Sequence, residues 1–337
     1  MHNAASVAPA SSVLSDASAP PIQMQVSGLS RRFSVLNKGK HVTLNAVSDV
    51  SFYVREGETF SIVGESGCGK STLGRCIARL IEPSEGRVLF EGAEVGALRN
   101  EALRRLRQDI QFIFQDPYSS MNPRLRIRTI LAEPLRNFGF SRQAIDARLK
   151  ELLALVSLNV DALDKYPHQF SGGQRQRLVI ARALALKPKF IVCDEPVSAL
   201  DVSVQAQVIN LLMDLQQSLG LTYVFISHDL SVVRHISHRV AVMYLGRIVE
   251  TGTRDEIFKS PQHPYTKALM AAVPRFAEDD RLAPSEARLN GEIPSPLAPP
   301  SGCAFRTRCP VAQPQCAQSV PAMKTFSSTQ SAACHFI

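Results

Sequence analysis

The run Gly64-Glu65-Ser66-Gly67-Cys68-Gly69-Lys70-Ser71-Thr72 fits the pattern G-x-x-x-x-G-K-S/T. Its chemistry follows from the residue types. Glycines let successive backbone N–H groups turn inward around an anion. A lysine directly after the last glycine can reach the β- and γ-phosphates of a nucleotide, and the Ser71 hydroxyl can ligate Mg²⁺. The pattern requires a buried strand before it and a helix behind it. Thr59-Phe60-Ser61-Ile62-Val63 reads as the strand, and Leu73 to Leu80 reads as a helix whose positive end points at the phosphate. Without that context the same residues would be a glycine-rich turn.

Two further stretches could complete such a site. Phe190-Ile191-Val192-Cys193 reads as a buried strand ending in Asp194-Glu195. A carboxylate at that end of a parallel strand can hold Mg²⁺ beside Ser71, and Asp194 suits this role. Glu195 could then orient and activate an attacking water. The alternative is a solvated acidic strand end. Leu221-Thr222-Tyr223-Val224-Phe225-Ile226 is a third strand, ending in Ser227-His228-Asp229. His228 there can meet a γ-phosphate or the attacking water, or be structural.

The elements that must position these groups are legible in outline. Met24, Val26 and Leu29 are spaced for a strand, and Val50, Phe52 and Val54 alternate with polar neighbours, as in a hairpin region from Ile22 to Arg55 with a polar turn at Asn37-Lys38-Gly39-Lys40. Phe33 in this region could stack on an adenine or sit in the core. Gly86 to Gly92 reads as strand and turn, Arg99 to Gln108 as a basic amphipathic helix, and Ile110 to Phe114 as a buried strand running into Gln115-Asp116-Pro117. Arg126 to Leu186 reads as helical almost throughout, with Ser141 as an N-cap before Ile145, Leu149, Leu152, Leu153 and Val156. Inside this block lies Ser171-Gly172-Gly173-Gln174, where Ser171 can cap a helix running through Ala185 and the glycines permit close approach of an anion. A plain capping turn is the alternative. Arg239 to Glu250 reads as a hairpin around Leu245-Gly246, Pro261 to Pro274 as a short helix, and Arg275 to Gly302 as a linker.

Composition sets bounds on this reading. The chain has 337 residues, enough for one large domain and a smaller one. No apolar run approaches the roughly 18–20 residues of a membrane span. The net charge of +8 is spread without a dense Lys/Arg block, which argues against a nucleic-acid surface. Residues 1–21 are rich in Ala, Ser and Pro, lack the marks of a signal or transit peptide, and read as a disordered extension. Of seven cysteines, Cys68, Cys76 and Cys193 lie in or beside the nucleotide elements. The others, Cys303, Cys309, Cys316 and Cys334, cluster near the C-terminus, a pattern that suits metal more than disulfides in an intracellular chain.

In combination, the phosphate loop, Gln115, Ser171-Gly172-Gly173-Gln174, Asp194-Glu195 and His228 occur in an order that resembles an ABC-transporter ATPase subunit, over roughly residues 23–258. The resemblance implies an α/β fold of the P-loop NTPase ABC type: a RecA-like core, an antiparallel β subdomain, and an inserted helical subdomain at about 116–186. ATP would lie between residues 64–72 of one subunit and the Ser171–Gln174 turn of another. Gln115 resembles the Q-loop glutamine, which senses Mg²⁺ and the water and contacts the membrane subunit, Ser198-Ala199-Leu200-Asp201 the D-loop, His228 the switch histidine, and Phe33 the A-loop aromatic at the adenine.

Phe114-Gln115-Asp116-Pro117-Tyr118-Ser119-Ser120-Met121-Asn122-Pro123-Arg124, His263-Pro264-Tyr265-Thr266 and Gly302-Cys303-Ala304-Phe305-Arg306-Thr307-Arg308-Cys309-Pro310 are similar to the oligopeptide/dipeptide importer subgroup, whose members move peptides, nickel or other small solutes. That likeness implies ATP hydrolysis driving peptide import on the cytoplasmic face of the inner membrane. Its partners would be a second, paralogous ATPase, two transmembrane permease subunits, and a periplasmic or extracellular solute-binding protein. It also implies a C-terminal region, 259–337, whose four cysteines hold a [4Fe–4S] cluster; zinc or free thiols remain compatible with the spacing. A soluble ABC-type ATPase acting on nucleic acid or ribosomes is the alternative class; such chains commonly carry a second phosphate loop or a coiled-coil insertion. A nucleotide-gated module without turnover fits poorly with an intact Asp194-Glu195 pair.

Overall fold

The computed structural model describes residues 20–37, 39–117, 120–271 and 291–337. The N-terminal extension up to residue 19, Lys38, Tyr118-Ser119 and most of the expected linker lie outside the described residues.

The first described elements are a long antiparallel pair, β1 (Ile22–Asn37) and β2 (Lys40–Arg55), running from Ile22 opposite Arg55 to Asn37 opposite Lys40 with register shifts between Ile22 and Arg32. Met24, Val26, Leu29, Val50, Phe52 and Val54 are buried, as period-2 patterning demands. Next come β3 (Thr59–Val63), α1 (Lys70–Ile77), β4 (Glu85–Phe90) and β5 (Ala93–Glu94). Strands β4 and β5 extend the first pair into a sheet of order β2-β1-β4-β5, antiparallel throughout.

After α2 (Asn100–Asp109) and β6 (Ile110–Ile113), the inserted block folds as α3 (Ile127–Asn137), α4 (Arg142–Leu155) and α5 (Gly172–Ala183). Their apolar faces, including Leu131, Leu135, Leu149, Leu152 and Leu178, share one core. Helix content is less continuous than the periodicity predicts. Gly139 adopts φ +78° after α3, and two short 3₁₀ turns span Val160–Asp164 and Pro167–Gln169. Ser141 caps α4 as expected, its Oγ accepting the Ala144 N–H at 3.3 Å.

The main sheet is completed by β7 (Phe190–Asp194), α6 (Val202–Leu219), β8 (Thr222–Ser227), α7 (Leu230–Ile236), β9 (Arg239–Tyr244) and β10 (Arg247–Thr253). Strands β6, β7, β8, β3 and β9 run parallel side by side, and β3, β7 and β8 are buried at every position. That is why β7 reads as an apolar run up to Asp194, while the polar positions of β3 are buried with partners: Thr59 Oγ1 accepts from Gln216 Nε2 and Ser61 bonds Ser237. Their shared direction brings the residues following β3, β7 and β8 to one edge of the sheet, where parallel α/β sheets bind ligands.

The chain continues through α8 (Arg254–Lys259) and α9 (Pro264–Ala271), and residues 291–337 add α10 (Gln315–Gln318), β11 (Met323–Thr325) and β12 (Ser331–Ala333). The C-terminal segment packs onto the rest of the chain: β12 pairs with β10 through Glu250 opposite Ala332, so the main sheet ends β11-β12-β10. Glu250 is fully buried and accepts hydrogen bonds from the Gln262 and His263 N–H groups and from Gln330 Nε2. These contacts satisfy a carboxylate that would otherwise be costly to bury.

Candidate functional site

The loop after β3 is shaped by close backbone contacts. Gly69 has φ +105°, and a Cβ there would stand 2.1 Å from the Ala46 carbonyl oxygen; at Gly64, φ +153°, it would stand 2.1 Å from the Met243 carbonyl oxygen. Neither position admits a side chain. Backbone bonds from Gly246 N–H to Cys68 C=O (2.8 Å) and from Ser48 N–H to Gly246 C=O (2.8 Å) clip the loop to the β9–β10 turn and to β2. The result is a cleft of about 500 Å³ at the N-terminus of α1.

Ser66, Gly67, Cys68, Gly69, Lys70, Ser71 and Thr72 line the cleft. Lys70 Nζ lies inside the loop, donating to the carbonyls of Gly64 (2.8 Å) and Glu65 (3.0 Å). Both carbonyls are backbone acceptors that a phosphate could replace as Lys70's partner. Burial pushes the Cys68 thiol up, with Lys70 opposing, so it remains a small protonated filler.

Opposite the loop, Ser71 Oγ donates to Asp194 Oδ1 at 2.7 Å. Asp194 is almost fully buried, and that burial raises its pKa against the lowering effect of Ser71. A buried carboxylate touching the hydroxyl that would also bind Mg²⁺ is the donor set expected of that metal. Glu195 gathers the next two groups: Gln115 Nε2 donates to its Oε2 at 2.9 Å, and His228 Nδ1 lies 3.2 Å from the same oxygen. Glu195 itself has φ +47°, a left-handed backbone that is uncommon for a side chain of this type and turns its carboxylate toward the cleft. Gln115, Glu195 and His228 all line the cleft.

Phe33 also lines it, with Leu44, Leu245 and Pro296, and the Arg31 guanidinium stacks 4.5 Å from its ring centroid. Pro296 comes from the stretch read in sequence as linker.

Ser171, Gly172, Gly173, Gln174 and Asp201 do not line this cleft. They form a surface of their own. Ser171 and Gln174 make a reciprocal capping box at the start of α5 and are exposed. A Cβ on Gly173 would come within 2.4 Å of Val204 Cγ1, so this glycine allows α5 to touch the start of α6, which Asp201 precedes. The turn Val197 to Leu200 is held by Gln205 Nε2, which donates to both of those carbonyls.

Cys303, Cys309, Cys316 and Cys334 are free thiols that line one tight pocket with Phe305 and Phe336. Burial raises the pKa of Cys303 and Cys309, and the neighbouring cysteines raise it further. Among the described residues no group of three or more His, Cys, Asp or Glu is arranged to hold a metal ion.

Sequence reasoning missed the groups that hold Glu65. Its carboxylate takes a two-pronged bond from Arg308 (2.7 and 2.9 Å), and its N–H donates to Tyr265 Oη at 3.0 Å. No local signal points to either partner.

Residues 47–198 match the family model described as ABC transporter, and residues 249–316 match the oligopeptide/dipeptide transporter C-terminal region. The chain is 56% identical to a probable peptide ABC transporter ATP-binding protein, y4tS, of Sinorhizobium fredii, over 87% of this chain and 82% of that one. It is 54% identical to the oligopeptide transport ATP-binding protein OppF of Salmonella typhimurium, covering 84% and 85%. Among solved structures, the dimeric ATP-binding cassette MJ0796 bound to ADP and Pi superposes with a TM-score of 0.61 at 30% identity, over 68% of this chain and 98% of that one. The cbiO1 subunit from Clostridium perfringens gives a TM-score of 0.62 at 27% identity, over 74% and 95%.

Proposed function

This chain belongs to the ABC-transporter family of ATP-binding subunits, in its oligopeptide/dipeptide branch, and from that premise we propose how its residues bind and hydrolyse ATP to drive peptide import. The observation that carries the reading is the grouping of Gln115 and His228 on Glu195 in the cleft that Ser71 and Lys70 line.

Residues 64–72 cradle the phosphates, with Lys70 exchanging backbone carbonyls for phosphate oxygens and the α1 N-terminus adding positive potential. Ser71 and Asp194 would hold Mg²⁺, with Gln115 beside them; the ion, when bound, neutralises charge on the β- and γ-phosphates. Glu195 accepts the proton of an attacking water, and Gln115 and His228 fix the carboxylate that receives it. Phe33 meets the adenine.

Because Ser171, Gly172, Gly173, Gln174 and Asp201 lie outside the cleft, they serve the nucleotide of a second subunit in a head-to-tail pair. The MJ0796 cassette bound to ADP and Pi is dimeric, which agrees. That second subunit is a paralogue, and the pair docks peripherally on the cytoplasmic side of two permease subunits fed by a solute-binding protein. Among the described residues no helix is long and apolar enough to cross a membrane. The domain division is 22–258 for the ATPase, with its helical part about 116–186, and 259–337 for the C-terminal region. The nucleic-acid alternative is not favoured, since the matching relatives are named for peptide transport.

Four thiols on one pocket match a [4Fe–4S] cluster, or zinc, in donor type and number alone, and among the described residues they are not arranged around a metal ion. Such a group would add one more link to a segment that already packs on the main fold through Phe305 and β12.

The decisive experiment is Glu195→Gln. It should retain ATP binding, accumulate an ATP-dependent dimer in light scattering, and lose most phosphate release. Turnover close to wild type would remove Glu195 from the chemistry.

A further inference from the structure

Glu65 is held through three separate groups. Its carbonyl accepts from Lys70, its N–H donates to Tyr265 Oη, and its carboxylate takes both prongs of Arg308. Two of those three partners belong to the C-terminal region. Tyr265, in the first turn of α9, is fully buried; the Arg308 side chain is 4% exposed. The lobe that supplies Arg308 is anchored beside the loop. Phe305, three residues earlier, packs against Tyr244 and Tyr265 with ring centroids at 5.3 Å from each, and Arg308 Nη1 also approaches Tyr244 Oη at 3.4 Å. Cys303 and Cys309 flank this Phe305–Arg308 turn, and the Arg308 N–H closes it on the Phe305 carbonyl at 3.0 Å. The cysteine pocket and the phosphate loop are thus joined by two short segments, Cys303 to Cys309 and His263 to Tyr265.

We propose that Arg308 is a positioning residue for the phosphate-binding loop, acting through Glu65, so that the docked C-terminal lobe sets the affinity for nucleotide. The physical reason lies in what a phosphate loop needs. Its N–H groups act together only when the backbone is already arranged, since ordering the loop at binding would cost affinity. Glu65 sits in the middle of the Gly64–Gly67 turn, where glycines leave the backbone free to move. A planar guanidinium gripping its carboxylate at two points restrains that freedom in a way a lysine point charge does not. The same bridge runs in reverse: bound nucleotide, by fixing Glu65, favours the docked lobe.

This inference rests on the nucleotide reading of the loop, and the test separates the two. Affinity for MgATP is measured with a fluorescent ATP analogue on the full chain, and kcat and KM are measured on the assembled transporter. Arg308→Ala should weaken binding about tenfold and raise KM while kcat changes by less than about twofold, because the lost interaction holds the loop without touching the reacting atoms. Glu65→Gln should do the same, and the double variant should be no weaker than either single, the signature of one shared interaction. Arg308→Lys should recover part of the loss. Arg306→Ala, which removes a half-buried neighbour that bonds Ser301 rather than Glu65, should change nothing. Where Arg308→Ala does not fold, Tyr265→Phe and Glu65→Gln give the same readout. Wild-type affinity in those folded variants, or additive effects of Arg308→Ala and Glu65→Gln, overturns the inference alone. A wild-type chain that binds no nucleotide overturns the nucleotide reading with it.

Discussion

Ser71 Oγ donates to Asp194 Oδ1 at 2.7 Å across 123 positions of sequence. That contact joins the end of the phosphate loop to the end of β7 and marks where Mg²⁺ would sit. It also concentrates a buried carboxylate that the apo protein stabilises only partly, since burial raises its pKa despite the Ser71 bond. Asp194→Asn should therefore leave the apo melting temperature unchanged or slightly raised. Phosphate release should fall by roughly two to three orders of magnitude, as removal of comparable charge-stabilising groups does. The extra thermal protection given by MgATP should fall as well. Full Mg²⁺-dependent turnover in this variant would contradict the metal assignment.

Ser171 caps α5 and, in the proposed dimer, faces the other subunit's nucleotide. Ser171→Ala should cost about 1 kcal/mol of stability through the lost cap. Hydrogen exchange in the first turn of α5 should speed up. ATP binding to the isolated chain should be unaffected, while hydrolysis by the assembled pair drops. Loss of ATP binding in the monomer would place Ser171 in its own cleft instead.

His263 should make the fold acid-sensitive. It is 1% exposed, accepts the Tyr265 N–H through Nδ1 at 3.0 Å, and burial lowers its pKa to about 4. The unfolded chain binds a proton near pH 6.5 while the folded one resists it. Stability is then complete above about pH 6.5 and declines as pH falls toward 4, by about 3 kcal/mol in all. Denaturant midpoints across that range measure the slope, and His263→Gln should flatten this contribution.

Phe305 fills the space between Tyr244 and Tyr265 and is 2% exposed. Phe305→Ala should cost about 3–5 kcal/mol, as emptying an aromatic site in a core does. The cost should be local, with residues 291–337 becoming sensitive to limited proteolysis before the sheet does. Uniform protection throughout the tail would show that β12 and Glu250 hold it without the ring.

Much of the site was legible in the residues because it is built from local patterns. The glycine spacing, the apolar runs before Gly64, Glu195 and His228, and the Ser171 cap each depend on a few neighbours in sequence. Parallel strands deliver their ends to one edge, so recognising three buried runs was enough to expect Lys70, Asp194, Glu195 and His228 in one place. Their order also carried the family likeness.

The extent of helix was less legible, because the apolar spacing of Arg126 to Leu186 does not register the turns between Val160 and Gln169. The sequence marks the tail only by its four cysteines, and in the structure its strand β12 continues the main sheet beside β10. Pairing of edge strands is chosen by whichever surface the folded core leaves open, and no spacing within Ser331–Ala333 announces it.

Chain order and residue type alone thus determined the nucleotide chemistry and the elements that carry it. Only the tertiary structure decided that Arg308, 243 positions away, grips Glu65. A contact of that span leaves no periodic trace, because it exists only once the sheet, α9 and the cysteine segment have packed together.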